Sequence, residues 1–205
     1  MDFLTWITLI SVAVYVLQRK DQRRRVRLLA EHLMPTQVEK ILGTLIDGYM
    51  RALEEKDPQR QQQVWAILNH QEQTLVSEFQ RFADSFATAP VEQTRVSTLP
   101  LALPYFDRLL PQFTFDMRTL LLTHAQAIRA AAAPEDLVSG DARKQMAFRM
   151  TAELLLMQHS CHWFGRTRTV ASVRLMARHK TQYEQVLDSV APATARAYRK
   201  IIQRG

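Results

Sequence analysis

Residues 35–53, PTQVEKILGTLIDGYMRAL, decide the fold class. The apolar side chains Val38, Ile41, Leu42, Leu45, Ile46, Tyr49, Met50 and Leu53 recur at alternating steps of three and one, which puts them in one stripe of an α-helix and off any single face of a strand. Pro35 breaks whatever helix precedes it and starts this one. Gly43 and Gly48 lie outside the stripe and weaken the helix by about 1 kcal/mol each relative to Ala, a cost that points to close packing.

Toward the C-terminus the same period continues. Asp57 followed by Pro58 supplies an N-cap and a first-turn proline for a helix carrying Val64, Trp65, Leu68, Leu75, Phe79, Phe82 and Phe86. Residues 88–104 hold Pro90, Pro100 and Pro104 without helical period and read as an extended loop, a boundary between halves 35–87 and 105–205. Met117, Leu120, Leu121, His124, Ile128 and Ala131 form the next stripe, closed by Pro134. Asp141 is placed to cap a helix running to about Phe164 and stopped by Gly165. Its main stripe is Ala147, Met150, Leu154, Met157, Cys161 and Phe164, with Phe148, Leu155 and His162 flanking, and it reads as the centre of the bundle. Val170, Val173, Met176, Tyr183 and Leu187 predict one further helix, and Pro192 opens a short last one through Ile201 and Ile202. No strand or hairpin pattern and no fixed repeat is present. The expected fold is all-α: an N-terminal membrane-anchor helix followed by an irregular bundle of about six helices.

Toward the N-terminus the pattern changes. Residues 3–17 carry no charge, and Phe3, Leu4, Trp6, Ile7, Leu9, Ile10, Val12, Val14, Tyr15, Val16 and Leu17 make this the most apolar stretch of the chain. Arg19, Lys20, Arg23, Arg24, Arg25 and Arg27 follow at once, against a single Asp21 among them. Fifteen residues reach only about 22 Å as a helix, against a hydrocarbon thickness of roughly 30 Å, so a span requires snorkelling basic side chains or local thinning. The charge asymmetry puts the N-terminus outside and the rest in the cytoplasm of a cell whose plasma (inner) membrane holds the anchor. Residues 1–18 are then the anchor, 19–34 a basic juxtamembrane stalk and 35–205 the cytoplasmic domain. A cleaved signal peptide is disfavoured, because no basic residue precedes the apolar run and no small-x-small site follows it. The competing reading of residues 3–17 is a core or oligomer-forming helix.

Composition agrees with a folded helical protein: 47% hydrophobic, 23% charged, with five glycines and eight prolines in 205 residues. The single cysteine, Cys161, excludes an internal disulfide. The net charge of +7 comes from two blocks, 18–34 and 141–205. The second includes Arg166, Arg168, Arg174, Arg178 and Lys180, then Arg196, Arg199, Lys200 and Arg204. Arg174 and Arg178 lie one turn apart and form a basic face for an anionic leaflet or an acidic partner.

The glycines are too dispersed for a phosphate-cradling loop, and the sequence signatures of α/β-hydrolases, zinc proteases and di-iron proteins are missing. The densest chemical cluster is His159, Cys161 and His162, with His124 on a neighbouring stripe and Glu153 as a further donor. Packing explains it well, since free cysteine behaves as a small hydrophobe and histidines suit a helix C-terminus. The preferred functional expectation is therefore a membrane-anchored adaptor or assembly component that contacts membrane lipid and a protein partner, homo-oligomerisation remaining open, with no catalytic residue and no cofactor. Two alternatives stand beside it: a metal- or haem-binding protein using His124, His159, Cys161 and His162, and a soluble basic protein that binds nucleic acid.

Overall fold

The computed structural model describes residues 3–99, 110–134 and 139–203, and among these it has nine helices and one two-stranded sheet. Helix α1 (Phe3–Leu33) runs 31 residues without a break, about 46 Å at 1.5 Å per residue. Its two halves differ in kind. Every residue from 3 to 17 is exposed, whereas beyond Gln18 the helix lies on the body, burying Asp21 and Arg25 and packing Leu28, Leu29 and Leu33 against the core.

Pro35 ends α1, and Thr36 turns the chain by hydrogen-bonding back to the Leu33 carbonyl. Helix α2 (Val38–Glu54) buries Val38, Ile41, Leu42, Leu45, Tyr49 and Ala52, as its stripe predicts, but leaves Met50 exposed at the edge. Helix α3 (Pro58–Ala87) starts on Asp57, whose side chain accepts from the Gln59 and Arg60 amides at 2.9 and 3.4 Å. Its buried positions Trp65, Leu68, Glu72, Leu75, Phe79, Phe82 and Phe86 alternate steps of three and four, a seam that keeps one face on its neighbours from Trp65 onward. The two glycines of α2 differ. A Cβ on Gly48 would stand 2.4 Å from Leu68 Cδ2, so this glycine permits the close α2–α3 approach, while Gly43 faces open space.

The segment after α3 departs from the expected extended loop. Residues Val91–Thr94 form a single helical turn, α4, followed by strand β1 (Arg95–Ser97), which pairs antiparallel with β2 (Thr114–Asp116) in the register Arg95↔Asp116, Val96↔Phe115, Ser97↔Thr114. The expectation of no strand is thus corrected. Three-residue strands are too short for alternation to register in a sequence, and each contributes a single buried apolar residue, Val96 and Phe115. Residues 100–104 of the expected loop lie outside the described residues. Core side chains from both sides of this segment belong to one hydrophobic cluster.

Helix α5 (Met117–Ala131) is capped by Asp116, which accepts from the Arg118 amide at 2.9 Å, and buries its predicted stripe in full. Helix α6 (Gly140–Gly165) is the hub, touching α1, α2 and α5 and the two helices that follow it. Asp141 does not cap it: Ser139 occupies the N-cap position and Asp141 pairs with Lys144 at the surface. Phe148, expected on a flanking packed stripe, is 64% exposed. The predicted helix through Val170 and Leu187 is two helices, α7 (Arg168–His179) and α8 (Tyr183–Ser189), because Lys180 adopts a left-handed conformation at φ 54° and ends the first. Helix α9 (Pro192–Gln203) closes the bundle with Thr194, Ala195 and Tyr198 buried.

Candidate functional site

Three regions hold the residues singled out in the sequence. In the first, the apolar half of α1, every large apolar side chain is exposed, from 37% at Val14 to 78% at Phe3, so the chain does not use this stretch as a core helix of its own. Among the described residues no helix is long and apolar enough to cross a membrane. The Arg19 guanidinium turns back over the Tyr15 ring, 5.6 Å from its centroid, laying the basic collar against the end of the apolar run.

The collar is not uniformly solvated. Arg25 is buried, donates from Nε to Asp21 Oδ2 at 3.0 Å and from Nη1 to the Arg95 carbonyl at 2.6 Å, and stacks on Phe164. Arg25 therefore fastens α1 to β1 and to the end of α6, which corrects its place among the surface-facing basic residues. The i,i+4 spacing of Asp21 and Arg25 is the signal that was legible in the sequence. Arg19, Lys20, Arg23 and Arg27 are exposed and Arg24 half-buried.

The second region is the histidine and cysteine cluster, and the structure does not converge it. His124 Nε2 lies 2.9 Å from Ser160 Oγ, whose own proton goes to the Leu156 carbonyl, so His124 donates from Nε2 and keeps Nδ1 unprotonated. Burial, with His159 as a second cause, pushes His124 down to about 3. His159 pairs with Ser172 at 3.1 Å and packs on Tyr183, with ring centroids 4.6 Å apart. Its pKa falls to about 4, mainly through burial and then through Arg168 and His162. His162 turns instead to Arg174, at 3.2 Å, and is also held below its ordinary value, first by burial and then by Arg174, Arg178 and His179. Cys161 donates to Met157 Sδ, and burial pushes its thiol up to about 12. Among the described residues no group of three or more His, Cys, Asp or Glu side chains could hold a metal ion. Glu153, the further donor considered, accepts from the Ala191 amide and the Thr194 hydroxyl, tying the α8–α9 turn to α6.

Sequence reasoning missed a buried polar constellation centred on Glu72. Glu72 Oε1 accepts from Tyr49 and from Arg143 Nη2, both at 2.6 Å, and Oε2 accepts from the Ala133 amide at 2.8 Å. Arg143 lies over the Trp65 face, 4.5 Å from its centroid, while its Nε and Nη1 find no acceptor among the described residues. Four segments, α2, α3, the end of α5 and α6, meet at this carboxylate. The available signal was Glu72 itself, an acid at a core position of the Trp65–Phe86 seam.

In the third region, α7, the predicted stripe is turned outward: Val170, Val173 and Met176 are 42%, 63% and 39% exposed, and Ala171 and Leu175 face α6 instead. Arg174 and Arg178 are exposed beside them. Arg168 is half-buried, with its guanidinium over the Trp163 and Tyr183 rings. Arg204 lies outside the described residues. No family model, no curated protein and no solved structure matches the chain.

Proposed function

We propose that this protein is a single-pass component of the plasma (inner) membrane, N-terminus outside, whose cytoplasmic helical domain serves as an adaptor or assembly component for a protein partner. The observation that carries the reading is the exposure of every residue from 3 to 17 on a helix that continues without a break into the folded body. Each large apolar side chain there gains up to about 1.5–3 kcal/mol on leaving water, and a contiguous apolar surface of this kind marks a lipid or protein contact. The run is short of a full span, so Arg19 and Lys20 would lie along the interface with their stems in the apolar layer, aided by local thinning.

A binding role is favoured over catalysis by the way the interior spends its ionisable groups. Glu72, Arg143, Glu153 and His124 each tie one helix to another and are sealed from solvent. The metal-site alternative loses support from the separate partners of His124, His159 and His162.

The test is fractionation of cells producing the full-length chain, followed by crosslinking pull-down from membranes with a chain lacking residues 1–17 as control. The expected result is extraction by detergent but not by alkaline carbonate, and a partner retained from membranes. A full-length chain that is monodisperse in detergent-free buffer would sink the anchor.

A further inference from the structure

Helix α7 has its apolar stripe on the wrong side for a solvated surface helix. Its contact with α6 is made through Ala171 and Leu175, while Val170, Val173 and Met176, spaced three apart, stand in solvent beside Arg174 and Arg178. No Asp or Glu occurs between Glu153 and Glu184, a stretch containing Arg166, Arg168, Arg174, Arg178 and Lys180. An exposed face that is apolar and basic without a single acid matches the chemistry of an amphipathic helix on an anionic leaflet.

Its position gives the occupant. The α6–α7 corner abuts the part of α1 that leaves the apolar run: Arg166 Nη1 donates to Gln22 Oε1, and Gly165 is pressed against Val26, whose Cγ2 would lie 3.1 Å from a Cβ there. Gln22 is five residues past Leu17, about 7.5 Å along the helix axis, comparable with the roughly 5–8 Å depth of one headgroup layer. Helix α7 thus starts at the level where α1 would cross the lipid headgroups. We infer that α7 is a second membrane contact, its Val170, Val173 and Met176 face seated in the headgroup layer of an anionic leaflet and flanked by Arg174 and Arg178. The inference rests on the anchor reading above. It holds the domain against the membrane in one orientation rather than letting it swing on α1.

The test uses the full-length chain with Cys161→Ala, carrying one cysteine at a time, Val173→Cys, Val12→Cys or Ile67→Cys, each labelled with an environment-sensitive fluorophore. The proteins are reconstituted into vesicles of phosphatidylcholine with or without phosphatidylglycerol, with a quencher on the lipid chains. Lipid quenching is expected at Val12→Cys in both vesicles, at Val173→Cys only with phosphatidylglycerol, and in neither for Ile67→Cys, an exposed position of α3. Adding Arg174→Glu and Arg178→Glu should weaken the Val173 contact by about fivefold or more per residue removed, with Val12→Cys unchanged. Quenching at Val12→Cys with Val173→Cys indistinguishable from Ile67→Cys overturns the α7 contact and leaves the anchor standing; such a face would belong to an acidic protein partner. Quenching at Val173→Cys that ignores lipid charge overturns the anionic assignment. Absence of quenching at Val12→Cys refutes the anchor and this inference together.

Discussion

Arg143 Nη2 lies 2.6 Å from Glu72 Oε1 with both side chains sealed from solvent, and this pair joins α6 to α3 at the point where Tyr49 and the Ala133 amide also converge. A buried charge is tolerable only while its partner is present. Arg143→Met alone leaves the Glu72 carboxylate short of its cation and is expected to cost about 3–5 kcal/mol of stability in denaturant titration. The double variant Glu72→Leu with Arg143→Met removes both charges and should recover a substantial part of that loss. If the single and double variants are equally damaging, the pair is not what makes the site sensitive. The Tyr49 hydroxyl, held far above its ordinary value by burial and by Glu72, stays a proton donor throughout.

Stability should fall on mild acidification. His124 and His159, held at about 3 and about 4 in the fold chiefly by burial, return to about 6.5 on unfolding, so the unfolded chain binds more protons than the native one below that pH. Their contribution is fully present above pH 6.5 and is lost as pH falls toward about 4 for His159 and about 3 for His124, at up to about 1.4 kcal/mol per pH unit for each histidine. Glu153 works with the opposite sign, because burial raises its pKa and protonation on acidification relieves the fold. Urea midpoints between pH 7.5 and 4.5 check this, and His124→Gln should make the slope shallower; an unchanged slope would remove His124 from the account.

The two glycines of α2 predict opposite signs. Gly43→Ala, facing open space, should stabilise the domain by up to about 1 kcal/mol through helix propensity alone. Gly48→Ala gains the same propensity but drives its Cβ into the buried Leu68 side chain, and overpacking of this kind costs about 1–3 kcal/mol. Thermal midpoints of the two variants compared directly decide the matter, and Gly48→Ala matching Gly43→Ala would mean that Leu68 yields freely.

Arg23 and Arg25 are two residues apart and have different work. Arg25→Ala removes a buried guanidinium that bonds Asp21 and the Arg95 carbonyl, and should lower stability by about 2–3 kcal/mol. Arg23→Ala, at an exposed position, should stay within about 0.5 kcal/mol of the parent in the same measurement. Equal losses would return Arg25 to the solvated collar.

Periodicity was enough to read the helices whose buried face is wide and whose ends carry local signals. The α2 stripe, the Asp57 cap with Pro58, and the α5 stripe from Met117 to Ala131 need only neighbours in sequence to be recognised, and each is where its spacing placed it. The same spacing failed at α7, because a stripe of Val170, Val173 and Met176 states that one side of a helix is apolar and says nothing about which side the body occupies. It failed again at Lys180, where a left-handed residue that is not glycine carries no compositional mark.

By itself, then, the amino-acid order determined that this chain is helical, that its greasiest segment is its first, and that a basic collar follows, since these depend on interactions within a few residues. Only the tertiary structure decided that Arg25 and Arg143 are interior residues, that His124, His159 and His162 look to different partners, and that β1 finds β2 across residues 98–113. Such outcomes depend on which groups distant in sequence share a desolvated space, and the cost of burying a charge or a polar atom is settled by the partner found there, not by the neighbour along the chain.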